Sequence, residues 1–209
     1  MADLRTAADA KSTLRADPGP LGLSGFALTT FVLMTVNVGW LSGAGDIKVV
    51  IGLAVFYGGL AQFIAGMWEF ANGNTFGATA FTSFGAFWLT YAALLIPGFG
   101  VGVGTASGPS HRALGLYLLG WAIFTGIMMI ASLRLNGGLI AVFVLLFLTF
   151  LVLALGEFNT PASGAKSGLT TLGGWLGILT AIAAWYVAAA GVLAATSKGR
   201  INLPLYPMS

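Results

Sequence analysis

The sequence predicts an all-α fold, a polytopic membrane protein built as a bundle of six transmembrane helices. Three observations carry that expectation. Charged residues are 7% of the 209-residue chain, where a soluble domain of ordinary composition carries about a quarter. Apolar residues are 57% and fall into runs of roughly 20, the length that crosses the hydrocarbon core as a helix. The few charges gather in short polar intervals between those runs.

Residues 1–16 are polar, with Arg5, Lys11 and Arg15, and are expected to form a flexible cytoplasmic tail. They do not read as a secretory signal, because the apolar run that follows is full length and ends without a small-residue cleavage pattern. Pro18-Gly19-Pro20 opens the first helix, from about Leu21 to Leu41; the second runs from about Ile47 to Trp68. Asn72-Gly73-Asn74-Thr75 reads as a tight turn, with Asn74 as the N-cap of the third helix. That helix covers about Phe76 to Ile96 and is stopped by Pro97-Gly98. A Gly-rich connection at 98–110 leads to the fourth helix, about Ala113 to Leu133. The fifth covers about Gly138 to Leu155 and the sixth about Leu169 to Ala195. Residues 17–200 thus form one transmembrane domain, and 201–209 a cytoplasmic C-terminal tail.

Orientation follows from Lys and Arg. With the N-terminus inside, Arg5, Lys11, Arg15, Arg134, Lys198 and Arg200 are cytoplasmic, while Lys48, Arg112 and Lys166 are outside. An even helix count agrees with both termini inside, in a cell membrane. The chain has no Cys and one His, His111 beside Arg112, which removes thiol chemistry, bis-His haem and His-rich metal sites. No cofactor or metal is expected. The net charge of +3 forms no basic cluster, so nucleic acid is not an expected partner. The lysines lie in loops or tails, which excludes a retinal pump, and the scarcity of catalytic side chains argues against an enzyme.

Against this apolar background, 57–91 is dense in hydroxyls and amides and carries Glu69. Hydrocarbon offers such groups no partner, so their density implies a shielded polar path or site. In the third helix Thr75, Thr79, Thr82, Ser83 and Thr90 recur at helical spacing. Gly59, Gln62, Gly66 and Glu69 do so in the second, and Phe26, Thr29, Thr30, Leu33 and Asn37 in the first. Three such stripes could enclose a lumen with hydrogen-bonding walls. The competing reading is that Thr and Ser bond their own backbone one turn back. Glu69 likewise has two readings, an interfacial structural role and proton relay. Glycines at GxxxG spacing, Gly73 with Gly77 and Gly173 with Gly177, mark close helix packing within one bundle or between subunits.

Three blocks resemble the acetate uptake transporter family, the succinate–acetate permeases and their fungal acetate and ammonia-production relatives. Asp17-Pro18-Gly19-Pro20-Leu21-Gly22-Leu23 is similar to the family's N-P-x-P-L-G-L signature. Phe56-Tyr57-Gly58-Gly59-Leu60-Ala61-Gln62 resembles its FYGG-x-AQ block. Gly73 to Trp88, GNTFGATAFTSFGAFW, resembles its GNTFG-x-TAFTSYG-x-FW block.

The resemblance implies a six-helix protomer with a central conduit, often assembled as a homo-hexamer, that carries acetate and in some members succinate, usually with protons. It also implies an apolar constriction, at the positions here of Phe26, Phe84 and a leucine of helix five, Leu146 with Leu148 as the alternative register. Substrate-binding candidates along the path are Thr29, Asn37, Gln62, Asn74, Thr75, Thr79, Thr82 and Ser83, with Glu69 the candidate for proton coupling. Two positions depart from the pattern. Asp17 replaces the signature Asn, and Phe84 replaces a usual Tyr, which predicts a drier constriction that favours monocarboxylates over dicarboxylates. A passive anion channel and an ammonia channel or exporter are the alternatives; the latter commonly places His in the lumen, whereas His111 falls in a loop.

Overall fold

The computed structural model describes residues 16–43, 45–96, 110–161 and 167–208. Of the expected N-terminal tail, 1–15 lie outside the described residues, as does 98–109 of the Gly-rich connection. Six helices are long and apolar enough to span a membrane: α1 Gly19–Val38, α2 Asp46–Ala71, α3 Thr75–Leu95, α4 His111–Ser132, α5 Gly137–Phe158 and α6 Gly168–Thr196. Among the described residues there is no strand, only an isolated bridge between Asn136 and Pro207. The expected spans agree with these bounds to within a few residues. The protein is a multi-pass membrane protein.

Helix starts follow local chemistry. Asn74, Ser110, Asn136 and Ser167 each accept a backbone N–H of the first turn they precede, which satisfies amides that the helix itself leaves free. Asp17 does related work beside α1, where its Oδ1 accepts the Gly19 N–H at 2.8 Å. Gly73, with φ +74°, makes the left-handed turn between α2 and α3 that a side chain would strain.

Neighbouring helices follow one another around a ring. α1 lies between α2 and α6, α5 lies between α4 and α6, and α2 pairs with α3. The ring closes where α3 meets α4 through large aromatic side chains, with Tyr117 donating to the Phe87 carbonyl at 3.3 Å. Glycines set the close contacts elsewhere. A Cβ at Gly25 would lie 2.7 Å from the Tyr57 carbonyl, one at Gly85 2.8 Å from Phe63, and one at Gly177 2.5 Å from Met34. In lipid such approaches supply the dispersion contacts that hold helices together. Gly173 faces Leu153 of α5 and Gly177 faces Met34 of α1, so that pair packs within the bundle; of the other, Gly77 faces Glu69 and Asn74 while Gly73, in the turn, has no neighbour within 4 Å.

One feature of α2 is invisible to a periodic reading. Phe56–Ala61 is a π-helical turn inserted between two α-helical halves. Gly58 and Gly59 give it room against α1 and α3, and it resets the phase so that Gln62, Ala65, Gly66 and Glu69 all face inward. The expected C-terminal tail also takes a definite position. Gly137 and Gly138 donate to the Tyr206 and Leu205 carbonyls at 3.0 and 3.2 Å, and Tyr186 donates to that of Pro204 at 3.0 Å. Residues 204–208 therefore fold back across the start of α5.

Candidate functional site

Two cavities lie between the helices, and Phe26 and Leu146 line both. The larger, about 240 Å³, opens toward the end of the bundle that holds the start of α1 and the turn between α2 and α3. The smaller, about 80 Å³, extends toward the end that holds Glu157. Between them stands a packed aromatic layer. The Phe84 ring centroid is 5.8 Å from that of Phe26, 5.5 Å from Phe124 and 6.4 Å from Phe150, and the last pair is stacked. Leu146 is buried, while Leu148 is 37% exposed, so the first of the two registers points inward.

The larger cavity combines Phe26 and Phe84 with polar groups from α2 and from the starts of α1, α3 and α5. Gln62 is buried beside it, and its Oε1 has no hydrogen-bond partner among the described residues. Glu69 is 3% exposed, and its Oε2 accepts from Asn74 Nδ2 at 3.0 Å. Asn74 uses its other atom, Oδ1, to accept the Gly77 N–H at 3.1 Å. Asp17 approaches from α1: a Cβ at Gly19 would lie 3.0 Å from Asp17 Oδ1 and 3.6 Å from Glu69 Oε1. Two carboxylates thus share one mouth. No salt bridge to Glu69 exists among the described residues, and Asn74 is the side-chain donor that meets its carboxyl group. Leu205 of the folded-back C-terminal segment completes the wall.

The smaller cavity is walled by apolar and aromatic side chains and by a few polar ones, Thr30, Asn37, Trp88, Thr149 and Thr170 among them. Glu157 lies at its far end, where Oε2 meets His111 Nδ1 at 2.7 Å. That contact ties α5 to the first residue of α4.

The twelve residues expected at the site therefore divide. Phe26 and Leu146 line both cavities; Phe84, Gln62, Glu69 and Asn74 line the larger; Asn37 lines the smaller. Thr29, Thr75, Thr79, Thr82 and Ser83 line neither. Thr29 donates to the Gly25 carbonyl at 2.8 Å and packs on Gly58. Thr82 abuts Gly66 of α2, Thr75 is exposed at the end of α3, and Ser83 lies in an outer groove with Gly120 and Trp121 of α4. Helical spacing placed these hydroxyls on related faces, but Thr29 and Thr82 meet neighbouring helices and Thr75 lies exposed at the helix end. Thr30 and Trp88 were not singled out as binding residues. Thr30 carries a usable signal, since it lies four residues after Phe26 and so on the same helix face.

Residues 3–209 match the GPR1/FUN34/yaaH family. Accumulation of dyads protein 2 of Saccharomyces cerevisiae is 49% identical over 179 residues, and acetate permease A of Emericella nidulans is 46% identical over 188. Each alignment covers 85% of this chain and 61% of the relative, so the chain spans less than two thirds of those proteins. Succinate-acetate/proton symporter SatP of Escherichia coli is 38% identical over 195 residues, covering 93% of this chain and 97% of its own. The solved structure of the bacterial acetate channel SatP superposes with a TM-score of 0.80 at 38% identity, covering 91% of this chain and 99% of that one. The chain belongs to the GPR1/FUN34/yaaH family.

Proposed function

We propose that this protein transports short carboxylates, acetate above all, across the cell membrane along the path through both cavities. One observation carries the reading: two partly polar chambers meet at the same pair of side chains, Phe26 and Leu146. A carboxylate stripped of water in hydrocarbon has no partner, at a cost far above a few kcal/mol. The chambers return part of its hydration, and the rings between them limit the unsolvated step to a short passage. Neither chamber offers a cationic trap among the described residues, which suits a path that must release its cargo. The permease and symporter names of the relatives support acetate as cargo.

Passage as the neutral acid eases the apolar step. The Gln62 Oε1 atom accepts a hydrogen bond from a protonated acid, and Glu69 is the proton-handling group of the path. A proton on Glu69 removes the repulsion between it and an arriving carboxylate, which Asp17 otherwise reinforces. The reading includes both termini on the cytoplasmic face, which the Lys and Arg bias supports, and a homo-hexameric assembly.

Two neighbours support alternatives. The solved relative is described as a channel, and a yeast relative 48% identical to this chain is named ammonia transport outward protein 2. Purified protein in vesicles decides between them. Labelled acetate that accumulates above equilibrium when an inward proton gradient is imposed indicates symport. Equilibration without accumulation indicates a channel. Ammonia flux with no acetate flux overturns the proposal.

A further inference from the structure

We infer that Leu205 is a further selectivity residue of the transport path, carried on a hinged strap, residues 204–208, that seats across the mouth of the larger cavity and lifts for cargo to enter. This rests on the transport reading above and names a moving part that the six helices do not supply.

Leu205 stands apart among the residues that line that cavity. The others belong to a helix or, like Asp17, Asn74 and Asn136, to the residues that start one. Leu205 comes from beyond the end of α6 and is partly buried against the core. Its place is a notch made by glycine: a Cβ at Gly138 would lie 2.9 Å from Leu205 Cδ2 and 2.9 Å from Val187 Cγ2. Asn136, the cap of α5, borders the same opening, so the strap seats at the end of the bundle toward which the cavity opens. An isobutyl group thus narrows the rim that an acid passes on its way to Gln62 and Phe26.

The strap is held as a part that can detach. The Gly137 and Gly138 N–H groups donate to the Tyr206 and Leu205 carbonyls, the Met208 N–H donates to the Leu135 carbonyl at 3.0 Å, and the Tyr186 hydroxyl donates to that of Pro204. Leu205 turns toward the core, whereas Tyr206 is 70% exposed and Met208 42%. Few apolar contacts and exposed hydrogen bonds mark segments that open locally, well below the cost of global unfolding. Backbone strain adds to this. Lys198 and Tyr206, with φ +54° and +53°, are the non-glycine residues in the left-handed region among the described residues, a conformation that side chains make costly. Tyr206 also precedes Pro207, and a residue before proline favours the extended form, so lifting the tip lets it relax. The base stays put: Ser197 Oγ accepts the Ile201 N–H at 2.8 Å, and Asn202 Nδ2 donates to the Gly199 carbonyl at 2.7 Å. The chain is pinned at the end of α6 and strained at the tip, which is how a hinge is built.

The test uses the full chain, which has no Cys of its own. A Cβ at Gly137 would lie 3.4 Å from Tyr206 Cβ, close to the separation of about 3.5–4.5 Å that a disulfide spans. Gly137→Cys combined with Tyr206→Cys therefore ties the strap down. In vesicles, oxidation of this double variant abolishes acetate uptake and a reductant restores it, while each single variant ignores both reagents. Leu205→Ala keeps the backbone bonds of the strap and raises the butyrate-to-acetate uptake ratio several-fold. Hydrogen exchange in detergent reads the hinge without transport: the Gly137 and Gly138 amides exchange in the reduced double variant and slow when the disulfide closes. An oxidised double variant that carries acetate as fast as its reduced form overturns the gate and leaves the transport reading standing. Failure of the pair to cross-link overturns the seat, and an unchanged butyrate-to-acetate ratio in Leu205→Ala overturns the selectivity role. A wild-type protein that moves no acetate overturns the transport reading. The exchange measurement then decides the hinge by itself, since amides indifferent to the disulfide overturn it and amides slowed by it support it.

Discussion

Thr29 of α1 fills the space where a side chain at Gly58 would stand: a Cβ there would lie 2.5 Å from its Oγ1 and 2.7 Å from its Cβ. The hydroxyl is itself tied to the Gly25 carbonyl, so it has little freedom to move aside. The π-helical turn of α2 therefore meets α1 almost backbone to backbone. Gly58→Ala should force the two helices apart and destabilise the protein by about 1–3 kcal/mol, as overpacking does. Thermal unfolding in detergent measures this. Adding Thr29→Ala should recover part of the loss, because residues in contact are not independent.

Widening the shared wall of the two chambers should change selectivity more than rate. Leu146→Ala enlarges the passage beside Phe26, and the succinate-to-acetate flux ratio should rise several-fold. Competition between the two labelled acids in vesicles reads the ratio directly. An unchanged ratio with intact folding would show that the limiting aperture lies elsewhere.

Phe84 touches Phe26, Trp121, Phe124, Phe143 and Phe150, so the middle of the path carries no hydroxyl from this position. Phe84→Tyr places one there. Succinate should gain relative to acetate, since a dicarboxylate benefits more from an added donor. Wild-type protein that carries succinate as well as acetate would contradict the dry-constriction account.

Glu69→Gln preserves shape and leaves a carbonyl oxygen to accept from Asn74 Nδ2. Acetate should still equilibrate, but accumulation driven by a proton gradient should disappear. A variant that accumulates acetate as the wild type does would remove Glu69 from the coupling step.

Asn74 does two things at once, capping α3 through Gly77 and donating to Glu69. Asn74→Asp keeps the cap and loses the donor, whereas Asn74→Leu loses both. The leucine variant should lose about 1 kcal/mol of stability from the cap alone along with acetate uptake. The aspartate variant should stay folded and lose uptake through carboxylate repulsion at the shared mouth. Melting curves beside uptake assays separate the two effects.

The sequence by itself determined the six crossings, their order and most of their ends. Hydrocarbon thickness dictates length and composition, and a cap such as Asn74 acts on amides only three residues away. Phe26 also stands in the helical stripe of α1, whereas Leu146, with Leu148 as the alternative register, is put forward by the resemblance to the family and not by any pattern within α5. Only the tertiary structure decided which hydroxyls face a chamber. Spacing says that Thr75, Thr79 and Thr82 share a face of α3, but not that Gly66 of α2 would abut Thr82 while Thr75 stays exposed. Thr29 and Thr30 differ by about 100° around α1, and the glycines of the π-helical turn claimed the first while the second was left beside the smaller cavity. Leu205 reaches the larger cavity through backbone bonds to Gly137 and Gly138, a pairing between segments some 70 residues apart. Local rules act over a turn of helix, whereas the facing of a stripe depends on what the rest of the bundle sets against it.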